Sequence, residues 1–207
     1  LIDSFFTIES KLSTEIKVER SRFIGTVVPT KSREHAESEC ELIRRQYYDA
    51  THNCFAYLVG LESKQEFRYS DDGEPSGTAG RPIHDAILSC NVTDVLVVVT
   101  RYFGGVKLGT GGLARAYRQS AEDVLKNSKV VERLIMQPFR IKFTHDLTSI
   151  VMKTLSDFEL RTDETSYSDE VELLSSIRLS RFEEFVSSLR DRSHGKIVAE
   201  ITGAAHA

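Results

Sequence analysis

The sequence predicts an α+β protein of two domains, residues 1–130 and 133–207, and three observations carry that prediction. The apolar run Val95–Val99 is followed by five glycines, at 104, 105, 109, 111 and 112. An amphipathic pattern comes next, with Leu113, Tyr117, Ser120, Ala121 and Val124 on one face, so the order is buried strand, glycine loop, helix. Beyond residue 130 the periodicity changes to strands and helices in the order βαββαβ, the ferredoxin-like split unit. A chain of 207 residues, 40% hydrophobic and 28% charged, suits one large or two small globular domains.

The elements follow in order. Phe5–Ile8, Glu15–Val18 and Phe23–Val28 have strand composition. Ala36, Cys40, Ile43 and Tyr47 recur at helical spacing. Asn53–Val59 is a strand rich in Phe, Tyr and Val, with Glu66–Tyr69 as its hairpin partner. Ser70–Gly80 is turn chemistry, with acids, Gly73, Pro75, Gly77 and Gly80. Pro82 fits the first turn of a helix carrying Ile83, Ala86, Ile87 and Cys90. The strand 95–99 and a helix over 112–127 complete the first domain. No Pro- or Gly-rich linker marks the boundary near residues 128–134. In the second domain Ile135, Phe139, Ile141 and Phe143 lie on one side of a strand. Leu147, Ile150, Val151, Leu155 and Phe158 mark a helix. Leu160–Tyr167 and Val171–Leu179 form a hairpin, Phe182, Phe185, Val186 and Leu189 a second helix, and Ile197, Ala199 and Ile201 a last strand. Phe139, Ile141, Leu155, Phe182, Val186 and Ile201 are expected to share one core.

Composition excludes several classes. No apolar run reaches the roughly 18 residues that cross a membrane. Leu1–Phe6 lacks the basic start of a signal peptide. Cys40, Cys54 and Cys90 are odd in number and widely spaced, which points to a reducing compartment and a cytoplasmic location. The net charge of −4 means that a nucleic-acid role must rest on a local patch. Such a patch exists, because Val95 to Ala121 contains no acidic residue but does contain Arg101, Lys107, Arg115 and Arg118.

The glycine loop therefore has two readings. Backbone N–H groups and a positive helix end would make Gly104, Gly105, Gly109, Gly111 and Gly112, with Arg101, Lys107, Arg115 and Arg118, a site for phosphate or nucleic acid. Alternatively the glycines supply positive φ and close strand–helix packing. Arg101 ends a buried strand, so it has a second role open to it, as an anchor for the acidic turn Asp71–Glu74. Gly109-x-Gly111-x-x-Ala114 matches a dinucleotide fingerprint formally, but residues 104–108 intervene after the strand and no acid follows at the expected distance. The Walker pattern is absent. Asp71, Asp72 and Glu74 offer either a hard-cation site or an Asx-type turn. His52 and Cys54 share a strand face, which suits a core thiol better than a nucleophile. No metal and no cofactor are expected. The remaining histidines, 35, 84, 145, 194 and 206, are scattered.

Two longer stretches are more specific. Tyr69-Ser-Asp-Asp-Gly-Glu-Pro-Ser-Gly-Thr-Ala-Gly-Arg-Pro82 and Val98-Val-Thr-Arg-Tyr-Phe-Gly-Gly-Val-Lys-Leu-Gly-Thr-Gly-Gly-Leu-Ala-Arg-Ala-Tyr117 closely resemble the YigZ/IMPACT family. His52-Asn-Cys54 and Lys17-x-x-x-Ser-Arg-Phe-Ile24 resemble its upstream motifs, in family order. The resemblance covers residues 1 to about 130, and the tail is similar to the ferredoxin-like domain of bacterial members. It implies a first domain like domain IV of elongation factor G and the GHMP-type small-molecule kinases, including a left-handed βαβ crossover. It implies a tail like domain V of the same factor. The RWD domain of eukaryotic members, which act through the Gcn-type translational control machinery, has no counterpart in these residues. The function implied is binding of RNA or the ribosome with an influence on translation. The alternatives are an enzyme acting on a phosphorylated small molecule or nucleotide, and a module for a translation-related protein partner.

Overall fold

The computed structural model describes residues 3–203 and 205, apart from the Ser63 side chain. His206 lies outside them. The fold is mixed α+β in two compact units. One is Phe6–Glu132, and the other joins residues 3–5 to the chain from Arg133 onward. The first few residues thus group with the second unit rather than with the first, as their position in the sequence suggests. The reason is local: the Ile135 N–H donates to the Asp3 carbonyl at 2.9 Å. The Asp3 carboxylate accepts from the Ser180 N–H at 2.8 Å and pairs with Arg178. Strands β1 (Ser4–Ile8) and β7 (Val130–Leu134) form a two-stranded ribbon.

The first unit is built on an antiparallel five-stranded sheet. Its strands are β2 (Leu12–Val18), β3 (Ser21–Pro29), β4 (His52–Val59), β5 (Glu66–Ser70) and β6 (Val95–Tyr102). The order is β2-β3-β6-β4-β5, so β6 lies at the centre. Helix α1 (Arg33–Gln46) covers one face, where Ala36, Cys40 and Ile43 meet Phe55, Tyr57, Leu96 and Val98. Helices α2 (Gly80–Ser89) and α3 (Gly109–Asn127) cover the other, against Phe23, Cys54, Ala56, Val95, Val97 and Val99. A strand covered on both faces has no wet side. That is why β6 is an unbroken apolar run and not an alternating one.

The structure moves one expected boundary. Strand β6 ends at Tyr102, with Arg101 among its last paired residues, as the sequence suggests. Helix α3 begins at Gly109 rather than at 112, so Gly109, Gly111 and Gly112 are its first turn and not a preceding loop. The first four N–H groups of a helix have no intrahelical acceptor, so composition there reports poorly on where a helix starts.

The second unit has strands β8 (Met136–Phe143), β9 (Thr162–Tyr167), β10 (Val171–Arg178) and β11 (Ala199–Ile201), with helices α4 (Thr148–Asp157) and α5 (Phe182–Arg192). Its sheet order is β11-β8-β10-β9, and every described pairing is antiparallel. This is the βαββαβ order read from the sequence. Phe139, Ile141, Leu155 and Phe182 are buried in one cluster, with Val186 packed at its edge. Ile201 departs from expectation, being 59% exposed. It pairs with Phe139 but ends a three-residue edge strand. Ile197, just before β11, is the residue that fills the core.

Phe139 contacts both Phe182 and Phe185, with ring centroids at 6.0 and 4.8 Å. Phe139→Ala should therefore destabilise the second unit by about 3–5 kcal/mol, read as a lowered urea midpoint for that unit.

Candidate functional site

The acidic turn between β5 and α2 is held by its own carboxylates. Asp71 accepts from the backbone N–H groups of Gly77, Ala79 and Gly80 at 2.8, 2.9 and 2.8 Å. A carboxylate at this position satisfies the free donors of the α2 N-terminus and complements its positive end. Gly80 has to be glycine, because a Cβ there would lie 2.8 Å from the Ser70 backbone. Asp72 accepts from the Asn53 N–H at 2.6 Å and from Arg44 Nη2 at 3.0 Å. His52 Nδ1 donates to the Asp72 carbonyl at 2.8 Å, and the Cys54 thiol donates to the Asp71 carbonyl at 3.0 Å. The motif residues His52, Asn53 and Cys54 thus meet the acidic turn across the start of β4. Among the described residues no group of three His, Cys, Asp or Glu side chains could hold a metal ion.

Glu74 reaches deeper. Its Oε1 accepts from Arg101 Nη1 at 2.6 Å and from the Tyr117 hydroxyl at 2.8 Å, and His52 Nε2 stands 3.8 Å away. Arg101 is only 5% exposed. Its second amine donates to Ser21 Oγ at 3.4 Å, and its guanidinium lies 5.5 Å from the Phe23 ring and 5.4 Å from the Phe103 ring. Arg101 is therefore the anchor of the acidic turn and is not available to a phosphate at the surface. Burial pushes the Tyr117 hydroxyl far above its usual range, and the neighbouring Cys54 and Glu74 add to this. Burial likewise pushes the Cys54 thiol up, away from the thiolate a nucleophile needs.

The glycine segment is open by comparison. Gly104 is locked, since a Cβ would lie 2.1 Å from the Arg20 carbonyl group, and its N–H donates to Ser21 Oγ at 3.2 Å. Gly105 and Gly109 have φ of +85° and +67°, with nothing near the place of a Cβ. Glycine is required there for conformation, and the space beside it is free. The first turn of α3 has no acidic residue and no side-chain cap. Lys107, Gly109, Gly111 and Arg115 are exposed and Gly112 is half-buried. The Arg115 guanidinium lies back towards the first turn, 3.6 Å from the position of a Gly111 Cβ. Arg118 points to the same solvent but is paired with Glu122 at 2.8 Å.

One further cation joins this surface. Glu19 and Arg20 both have positive φ, the mark of a two-residue hairpin turn between β2 and β3. The Arg20 backbone packs against Gly104, so its exposed side chain stands beside the glycine segment. Its place in the motif before Ser21 was visible in the sequence, but its nearness to residue 104 was not. A surface hollow of about 380 Å³, lined by Arg44, Arg45, Tyr48, Asn53 and Asp72, opens beside the acidic turn.

Two outcomes are expected. Glu74→Ala leaves a buried guanidinium without its partner and should cost about 3–5 kcal/mol in denaturant unfolding. Iodoacetamide at pH 8 should modify half-exposed Cys90 first in the folded protein. Cys54, and Cys40, whose buried thiol is pushed up to about 11, should react only after denaturation.

Residues 19–125 match the model of the Impact N-terminal domain. The chain is 34% identical over 196 residues to IMPACT family member YvyE of Bacillus subtilis, covering 95% of this chain and 90% of that protein. It is 29% identical to IMPACT family member YigZ of Escherichia coli over 87% of this chain and 89% of that one. Protein IMPACT of Bos taurus is 48% identical over 62 residues, 29% of this chain and 19% of that protein. A crystal structure described as that of an hypothetical protein superposes with a TM-score of 0.71 at 27% identity, covering 98% of this chain and 99% of that one. With the domain model over its first unit and bacterial relatives along nearly its whole length, the chain belongs to the IMPACT family.

Proposed function

We propose that this protein is a cytoplasmic, non-enzymatic factor that binds RNA, free or in the ribosome, and thereby influences translation. The observation that carries the reading is the exposed face at the glycine segment. There Arg20, Lys107 and Arg115 have no ion pair or side-chain hydrogen bond with other described residues, beside backbone held open by Gly105 and Gly109. Long side chains that are charged, exposed and unpaired are the usual means of neutralising a phosphate backbone. The uncapped first turn of α3 adds a positive end on the same surface. The likeness to the elongation factor domains that the motifs imply supports a link to translation, as does membership of the family. Among the described residues no helix is long and apolar enough to cross a membrane.

The family resemblance also implies an enzyme acting on a phosphorylated substrate. That reading draws no support from the acidic turn, whose three carboxylates are each engaged in holding the fold. A protein-partner reading is favoured by one observation. Phe67 and Tyr69, with rings stacked 6.4 Å apart, are exposed on β5, an edge strand of the five-stranded sheet.

Binding through three cations should give a log–log salt slope of about −2 on single-stranded RNA. Changing both Lys107 and Arg115 to Glu should weaken binding more than about tenfold, near 1.4 kcal/mol, without loss of the fold. Unchanged affinity in that double variant at the same salt would remove this face as the RNA site.

A further inference from the structure

The same end of the first unit carries two large aromatic rings that are exposed to solvent. Phe103 is 47% exposed and Tyr48 is 86% exposed. The backbone that carries each ring is held by neighbouring residues. The Phe103 N–H donates to Thr51 Oγ1 at 3.0 Å, and the Thr51 N–H donates to the Arg101 carbonyl at 2.9 Å. Asp49, the residue after Tyr48, accepts the Tyr102 hydroxyl at 2.8 Å. Residues 47–51 and 101–103 are thereby stitched together along one seam. The Phe103 ring is further steadied on one side by the buried Arg101 guanidinium.

Cations flank the two rings. Gly104, next to Phe103, packs on the backbone of Arg20, and Lys107 follows three residues on. Tyr48 and Arg45 line the 380 Å³ hollow beside the acidic turn. Arg45, like Arg20 and Lys107, makes no ion pair or side-chain hydrogen bond with other described residues. Exposed rings interleaved with unpaired cations match the chemistry of an unpaired strand, whose phosphates are charged and whose bases offer flat apolar faces. A duplex keeps those faces stacked inside and presents only phosphates, sugars and groove edges.

We infer that the protein binds single-stranded RNA by stacking bases on Phe103 and Tyr48, with Arg20, Arg45 and Lys107 holding the intervening phosphates. This rests on the RNA-binding reading above and deepens it by naming the form of RNA and the residues that select it. The stacking residues lie outside the set that the glycine motif suggests, and they act through ring faces rather than through charge.

The chain contains no tryptophan. Phe103→Trp therefore places one indole at the proposed stacking position. Its fluorescence should be quenched by a 12-nucleotide oligoadenylate and left unchanged by a blunt duplex of the same length. In anisotropy titrations Phe103→Ala and Tyr48→Ala should each weaken oligoadenylate binding at least about fivefold, while the salt slope stays at the parent value. Phe103→Tyr should retain parent affinity. Thermal melting of each variant separates lost stacking from lost fold, and Phe103→Trp gives a reading independent of the alanine variants. Parent-like affinity in both alanine variants with the salt slope intact would overturn the stacking and leave the RNA-binding reading standing, as would equal affinity for the duplex. No binding of either RNA by the parent protein would overturn both.

Discussion

The ion pair between Arg101 and Glu74, buried at the end of the central strand, is the contact on which the first unit is organised. Its Glu74 oxygen receives the guanidinium from β6 and the Tyr117 hydroxyl from α3, and it faces His52 on β4. The acidic turn has no strand or helix of its own, so its place is set largely by what its carboxylates hold, with His52 and Cys54 donating to its carbonyls. Glu74 ties it to the sheet. Asp71 can then cap α2 and Asp72 can close the first rung of β4. Taking both charges out of water is costly, and the cost is offset because almost every polar atom around them is satisfied. Arg101 Nε has no hydrogen-bond partner among the described residues. The guanidinium as a whole lies 5.5 and 5.4 Å from the Phe23 and Phe103 rings, where attraction to a π face adds to its ion pair.

This arrangement separates two kinds of polar residue that are mixed in the sequence. The acids of the turn and the arginine of the strand are used up inside the molecule. The cations that follow in the glycine segment are not. Pairing rather than position makes the difference, as Arg115 and Arg118 show. They are three residues apart on one helix, but Arg118 is held by Glu122 while Arg115 forms no ion pair among the described residues. A protein of net charge −4 can thus present a locally positive face, because screening in salt limits each charge to a range of about 10 Å.

Glycine serves both sides of the separation. At Gly104 and Gly80 the absence of a side chain lets two backbones touch, at the Arg20 turn and at the end of β5. At Gly105 and Gly109 it permits positive φ next to empty space. The first pair builds the frame, and the second keeps the surface beside it accessible. Both pairs fit the conformational reading of glycine, and the second pair also leaves the surface beside it open.

Much of the architecture was legible from period and composition. The unbroken run of β6, the four-three-four spacing of α1 and the strict alternation of β10 each report burial averaged over a whole element, and burial of that kind is written along the chain. The order βαββαβ followed from the same signal, and the family motifs drew attention to the acidic turn and the glycine segment. What the sequence left open concerned single residues at places where elements end or cross. Ile201 has core composition but lies at the end of an edge strand. Arg20 is an ordinary turn residue until its backbone meets Gly104. Arg101 could be read as a surface cation or as an anchor, and only the turn folded against β6 decided that it is an anchor. Local periodicity is set by each element's own neighbours along the chain. The partner of a charge and the exposure of a ring are set by segments 27 to 83 residues away, and tertiary structure alone brings those together.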